Sequence, residues 1–382
     1  EALGAGTDID KLQRALRSVD AGNSIRQVQN ELRDLQQEAG RTEKKFEGLK
    51  VGLENVIGGL AAGGGIATAI EKAMDMSKLQ TKIDIAFDVP ESSKKSVEEA
   101  VRGISAYGVD AEASLEGVRR QWALNKGVSD EANAAIVKGA AAIAQSYEGI
   151  DFTELIQETN EIGNELGISQ EGALGMADAL LKMGFPPEQL DIIAEYGGQL
   201  TRAGYSAEEV QAIMEAGVDT GTWNIDNLLD GLKEGRIKAA EFGQGVDKAM
   251  TEALEGTKIS AEQVEKWGQA VAKGGKDGSV AMTEIAQALS EVEDETKRNE
   301  LGVKFFGTMY EDQGQNIINT LLGAKEKVVD FDKNQNNLNE SIKKMDANPA
   351  VKFQKAMQDL QMALKPVLGV IADVVAKIAD WI

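Results

Sequence analysis

The stretch Leu200-Thr201-Arg202-Ala203-Gly204-Tyr205-Ser206-Ala207-Glu208-Glu209-Val210 decides the fold class. Its centre, Gly204-Tyr205-Ser206, specifies the end of one helix and the start of another. Glycine takes the left-handed conformation that closes a helix. The apolar residue packs back on the finished helix or staples the next one. Serine caps the new helix through its side-chain oxygen. Glu209, three residues further on, completes the capping-box spacing.

Working outward, the same pattern of Gly, apolar, then Ser or Asp recurs. Gly108-Val109-Asp110, Gly127-Val128-Ser129, Gly149-Ile150-Asp151, Gly167-Ile168-Ser169 and Gly217-Val218-Asp219 join Gly204-Tyr205-Ser206 to make six copies. Gly184-Phe185-Pro186-Pro187 stands in the one large gap, so the glycines step by 19, 22, 18, 17, 20 and 13 residues. Asp151 with Glu154 repeats the capping-box spacing. The spacing predicts short helices of about 10–16 residues joined by very tight turns. Alternating Val, Ile and Thr between turn pairs, the strand signal, is nearly absent. Such units stack as a solenoid or coil into a compact domain. The low similarity between copies favours the compact all-α form.

Both flanks carry heptad tracks. Val28, Leu32, Leu35, Ala39, Thr42, Phe46, Leu49, Leu53, Val56 and Leu60 alternate steps of 4 and 3, the a/d pattern of a coiled coil. Leu12, Leu16 and Val19 form a shorter helical pattern upstream, split off near Gly22. A single amphipathic helix docked on its own domain is the alternative reading of this track, and Gly40, Gly48 and Gly52 weaken the coiled coil. At the other end Phe353, Met357, Leu360, Leu364, Val367, Ile371, Val374, Ile378 and Trp381 resume the spacing. Lys365, Asp373, Lys377 and Asp380 interrupt that run, which makes it an amphipathic helix rather than a membrane span.

Between the tracks, Gly58 to Gly65 is rich in small residues but lacks the spacing of a phosphate loop. Residues 66–88 read as helix from Leu79, Ile83 and Phe87. A short strand is the rival there, since Ile83, Ile85, Phe87 and Val89 alternate. Pro90 ends the element. Further helices are expected over 237–255, 261–272 (capped by Ser260) and 280–298, with Lys273 to Gly278 an exposed loop. The polar run Asp332 to Asn337 reads as a linker or a solvated helix face. The expected organisation is therefore a helical, coiled-coil segment over 1–65, a helical connector over 66–107 and a compact all-α domain over 108–331. A polar linker over 332–350 and an amphipathic helix over 351–382 follow.

Composition removes several chemistries. The 382 residues include no His and no Cys. That excludes disulfides, thiol catalysis, Cys-based metal centres, His-containing triads and HExxH sites from this chain. With 63 acidic against 41 basic side chains the net charge is −22, which disfavours binding to a phosphate backbone. The carboxylate pairs Glu98-Glu99, Glu208-Glu209 and Glu291 with Glu295 read as solvated helix faces. A glycosidase-like pair would need a cleft of aromatic platforms, which four Trp and five Tyr spread along the chain do not suggest. Asp330, Asp332 and Asn334 match the start of an EF-hand loop, but Gln335 and Ser341 stand where Gly and Glu are required. No SxxK context offers a serine nucleophile. Trp122, Trp223 and Trp267 read as core anchors between short helices. No catalytic, cofactor-binding or metal-ligating residue is expected. The first residue is Glu, no signal-peptide pattern follows it, and the last helical pattern has no stop, so the chain reads as a piece of something longer.

One resemblance emerges from these residues. The stretch EYGGQLTRAGYSAEEV from Glu195 to Val210 resembles the phage tail tape measure proteins, as does DNLLDGLKEGR from Asp226 to Arg236. A coiled coil running into a Gly/Ala-rich helix, with a closing amphipathic helix, is similar to that family in order. The likeness spans residues 60–380 as helical patterns. The family's long central coiled coils, apolar membrane-active segments and occasional lytic domain are not seen here. The resemblance implies a non-catalytic ruler that sets tail tube length, helps tube assembly and is ejected before the DNA passes. It implies residence in the virion tail lumen, and in the bacterial cytoplasm during assembly. The implied partners are further copies of the chain, tail tube, assembly chaperone and baseplate proteins, and the host membrane through segments beyond the C-terminus. No nucleic acid and no cofactor are implied. Val28, Leu32, Leu35, Phe46, Leu49, Leu53, Val56, Leu60, Phe353, Met357, Leu360, Leu364, Ile371 and Ile378 are the candidate oligomer contacts. A helical adaptor of the bacterial cell, and the non-catalytic part of a tape measure that carries a hydrolase elsewhere, are the rival expectations.

Overall fold

The computed structural model describes residues 78–222, 224–356 and 358. Every regular element among the described residues is helical and none is a strand, so the chain is all-α. It divides into two units, Glu1–Ala142 with Ile342–Ile382 and Ile143–Ser341.

In the first unit, residues 78–86 are helical. Ile83 is fully buried and Phe87 nearly so, while Ile85 is 81% exposed, so the four-residue spacing prevails over the period-two alternation. Helix α1 (Glu91–Ser105) packs against α2 (Ala111–Leu124), and α3 (Asp130–Ala144) follows. Asp110 caps α2 by accepting from the Glu112 and Ala113 amides at 2.8 and 3.2 Å. Ser129 caps α3 through the Ala132 amide at 3.3 Å. Trp122 is buried as expected of a core anchor, and its indole N–H donates to Asp130 at 2.9 Å.

The second unit contains α4 (Phe152–Leu166), α5 (Gln170–Met183), α6 (Asp191–Arg202), α7 (Ala207–Asp219) and α8 (Ile225–Glu241). It continues with α9 (Lys248–Leu254), α10 (Ala261–Lys273), α11 (Gly275–Ser290) and α12 (Glu295–Phe306). Then come α13 (Met309–Gln313), α14 (Gln315–Glu326) and α15 (Phe331–Ala347), the last running on past Ser341. Helix α8 is the hub, packing against α6, α10, α12, α13 and α14. It admits so many neighbours because its contact face is partly glycine. A methyl on Gly235 would run into the Phe306 ring, and one on Gly231 would stand 2.6 Å from Ile317. Real side chains do not approach so closely, so the close crossings require these glycines.

The expected turns form at Gly108, Gly149, Gly167, Gly184 and Gly204, all with positive φ. Asp151, Ser169 and Ser206 cap α4, α5 and α7, and Ser206 with Glu209 makes the full reciprocal capping box. Gly127 lies at a helix boundary without the left-handed conformation. Gly217-Val218-Asp219 is no turn. Gly217 is buried inside α7, where a methyl would press on Leu228 at 3.1 Å. The turn comes at Gly221 instead, and Asn224 caps α8.

Three further expectations are corrected. The helix over 237–255 is two helices, because the chain turns through a short 3-10 segment (Phe242–Gln244) to bring Gly243 against Gly268. The helix over 280–298 is also two. Helix α11 begins at Gly275 and ends at Ser290, and Asp294 caps α12. The exposed loop over Lys273 to Gly278 therefore shrinks to its Gly274 linker. Gly278 is buried, with the Ala270 carbonyl 3.2 Å from where its Cβ would be. The segment over 261–272 forms as α10, capped by Ser260. The polar run 332–337 belongs to α15: Asp332, Lys333, Asn336 and Asn337 face solvent, while Asn334 and Gln335 lie half-buried against Gly175.

Candidate functional site

A groove of ≈ 340 Å³ opens in the second unit between α7, α11 and α14. The packing of α14 against both α7 and α11 builds it. Its wall begins in the Gly204-Tyr205-Ser206 turn. The left-handed Gly204 lets the Tyr205 amide reach back to the Leu200 carbonyl at 3.1 Å. That fixes the chain direction and sets the Tyr205 side chain against the groove, 8% exposed. Ile213 and Leu321 supply buried apolar surface, and Val280 stands at the mouth, 43% exposed.

The charges around the groove are mostly engaged. Glu209 pairs with Lys276 and also accepts from the Ser206 amide. Glu284 accepts from the Trp267 indole at 2.8 Å, which places that buried ring behind the groove wall. Lys325 lies exposed at the edge. The Tyr205 hydroxyl has no hydrogen-bond partner among the described residues. Burial, and then the Glu209 charge, push its pKa up, against the smaller pull of Arg236. Tyr205 also borders a void of ≈ 20 Å³ shared with Tyr196, Arg236 and Met282.

A second constellation lies in the first unit. Asp346, near the end of α15, accepts from Tyr107 at 2.7 Å, Lys138 at 2.6 Å and Lys355 at 2.9 Å. Burial raises the Asp346 pKa, but the bonds from Lys138, Lys355 and Tyr107 outweigh it and hold the group at about 2. Gln358 donates to the Arg102 carbonyl at 3.0 Å, tying the helical residues 349–356 to α1 from their far end.

Most sequence-predicted site residues fall outside these constellations. Val28, Leu32, Leu35, Phe46, Leu49, Leu53, Val56 and Leu60 lie outside the described residues, as do Leu360, Leu364, Ile371 and Ile378. Nothing is described for the Met357 side chain either, and Phe353 is half-buried. Trp223 is likewise outside, whereas Trp267 is a core anchor with its ring edge-on to Phe305 at 6.4 Å. The EF-hand-like residues have structural partners. Asp330 caps α15 through the Lys333 amide at 3.0 Å, and Asn334 donates to Gln211 at 3.0 Å. Among the described residues no group of three His, Cys, Asp or Glu side chains is placed to hold a metal. No helix among them is long and apolar enough to cross a membrane. Sequence reading missed the groove. Its one available signal was the aromatic residue at the centre of the Gly204 turn, where other copies carry Val or Ile.

Comparison with known proteins adds one relative. A 98-residue stretch is 36% identical to "Uncharacterized protein YqbO" of Bacillus subtilis (strain 168), covering 24% of this chain and 6% of that one. The similarity thus spans a small part of a much longer protein. No family model matches the chain. No solved structure matches it either.

Proposed function

We propose that this chain is part of a phage tail tape measure protein, a structural component that sets tail tube length, assists tube assembly and is ejected during infection. The observation that carries this reading is the likeness of Glu195–Val210 and Asp226–Arg236 to that family. Those residues form most of α6, the Gly204 turn and the start of α7, together with most of α8, the hub of their unit. The much greater length of the Bacillus relative is compatible with a ruler, since a helix converts chain into distance at about 1.5 Å per residue. In this reading the flanking heptad tracks join copies of the chain, and the compact Ile143–Ser341 unit is a folded head rather than the ruler. Tail tube, chaperone and baseplate proteins are its partners, the tail lumen its location, and it catalyses no reaction.

Tail length in a particle carrying the gene tests this directly. In-frame removal of residues 28–60 is expected to shorten the tail by about 1.5 Å per residue deleted. Removal of the head unit should leave the length unchanged. Tails of unaltered length after the first deletion, seen by electron microscopy, would overturn the reading. A second arm replaces Leu32, Leu35, Leu49 and Leu53 by Ser. Self-association of the purified chain is expected to be lost, and unchanged sedimentation would refute the coiled-coil contact.

A further inference from the structure

The α7–α11–α14 groove has properties that a role in assembly does not use. Its lining is mainly apolar surface, with Ile213, Val280, Leu321 and Ala324 set among polar and charged neighbours. Its volume of ≈ 340 Å³ falls at the lower end of small-molecule sites, which span about 300–1,000 Å³. The two carboxylates on its lining already have partners, Glu209 with Lys276 and Glu284 with Trp267. Tyr205 is 8% exposed on this wall, and its hydroxyl has no partner among the described residues.

We propose that this groove binds a small uncharged aliphatic molecule bearing one carbonyl oxygen. The apolar part of the lining takes the hydrocarbon chain, and the Tyr205 hydroxyl donates to the carbonyl. Covering that hydroxyl without offering an acceptor costs free energy, so a ligand that supplies the acceptor is favoured over a plain hydrocarbon. Charge selects against an anion. Glu209 and Glu284 both line the groove, two lysines only balance them, and the chain as a whole carries −22. A fatty ester meets these requirements better than the corresponding fatty acid at neutral pH. The site is independent of the tape measure reading and stands or falls separately from it.

Methyl octanoate and sodium octanoate are the probes, titrated into the full chain. Saturation-transfer NMR reports the ligand, and the fluorescence of Trp267, bonded to the wall residue Glu284, reports the protein. The ester should bind saturably and the carboxylate at least tenfold more weakly. Tyr205→Phe keeps the ring in place and should weaken ester binding about 5–10-fold, the worth of one hydrogen bond. Val280→Asp at the exposed mouth should weaken it more than tenfold while the circular dichroism stays unchanged. The proposal is overturned if the ester shows no saturable binding, if Tyr205→Phe binds it equally well, or if the carboxylate binds as tightly. It is also overturned if sedimentation shows a dimer that Val280→Asp dissociates and the ester does not, because the occupant would then be a second copy.

Discussion

Gly243 and Gly268 cross backbone to backbone. A methyl on Gly243 would stand 2.7 Å from the Gly268 carbonyl carbon, and one on Gly268 would run into the Gly243 amide. No side chain lies between that could swing aside. This crossing holds the Phe242–Gln244 turn against α10 and lets Phe242 reach Phe305 edge-on, with ring centres 5.6 Å apart.

Substitution at this crossing should therefore be severe. Gly268→Ala is expected to cost about 2–4 kcal/mol through overpacking against backbone. Gly103→Ala is the matched control, since its Cβ would meet nothing within 4 Å inside α1. It should stabilise by about 0.5–1 kcal/mol through helix propensity and unfolded-state entropy. Urea unfolding of both variants checks the sign, and equal effects would defeat the packing account.

Ser206 tests the turn grammar. Its side chain accepts from the Glu209 amide at 3.3 Å, and the Glu209 carboxylate returns the bond to the Ser206 amide at 2.9 Å. Ser206→Ala should cost about 1 kcal/mol, and Ser206→Asp only a fraction of that. The comparison of unfolding midpoints is the measurement.

Glu158 gives the chain a pH dependence. Burial, with the charges of Asp191, Glu154, Glu161 and Asp151, pushes its carboxyl from 4.5 up to about 7. Between those values the folded chain holds a proton that the unfolded chain has released, so this contribution to stability falls as pH rises. Glu158→Gln should raise the melting temperature near pH 8, where the wild-type side chain is charged. It should have little effect near pH 4, where both are neutral. A gain confined to the acidic side would contradict the assignment.

Asp346 works in the opposite sense. Its carboxyl is held at about 2 despite partial burial, so its contribution is present above the ordinary carboxylate range and is lost as pH falls toward 2. Asp346→Asn should cost about 1–2 kcal/mol at neutral pH, a figure discounted for the group's partial exposure. Hydrogen exchange should also show residues 349–356 opening more readily, as their Lys355 anchor is lost. Unchanged exchange there would show that Val351 and Ala356 packing suffices.

The parts of the fold that were legible are those set by neighbours in sequence. Asp110, Ser169 and Ser206 cap helices because a side-chain oxygen two or three residues from an amide needs no distant partner. Gly217 and Gly278 look the same on paper but lie inside helices. Gly217 is needed for the approach of Leu228, a contact with the next helix rather than a backbone turn. The break at Phe242–Gly245 was hidden for a similar reason, since its cause lies more than twenty residues away at Gly268. The groove was illegible because Tyr205, Ser279 and Leu321 come together only when α7, α11 and α14 pack.

The glycine turns bear on how this protein is made. Each start and stop is written within about four residues, so a helix can find its limits as it leaves the ribosome, before its eventual neighbours exist. Contacts close in sequence also form fast. The slow step should be the glycine crossings, which join segments made at different times and tolerate no misfit. Translation would then deliver a string of finished helices, and the bare backbones at Gly243 and Gly268 would decide when the string becomes a domain.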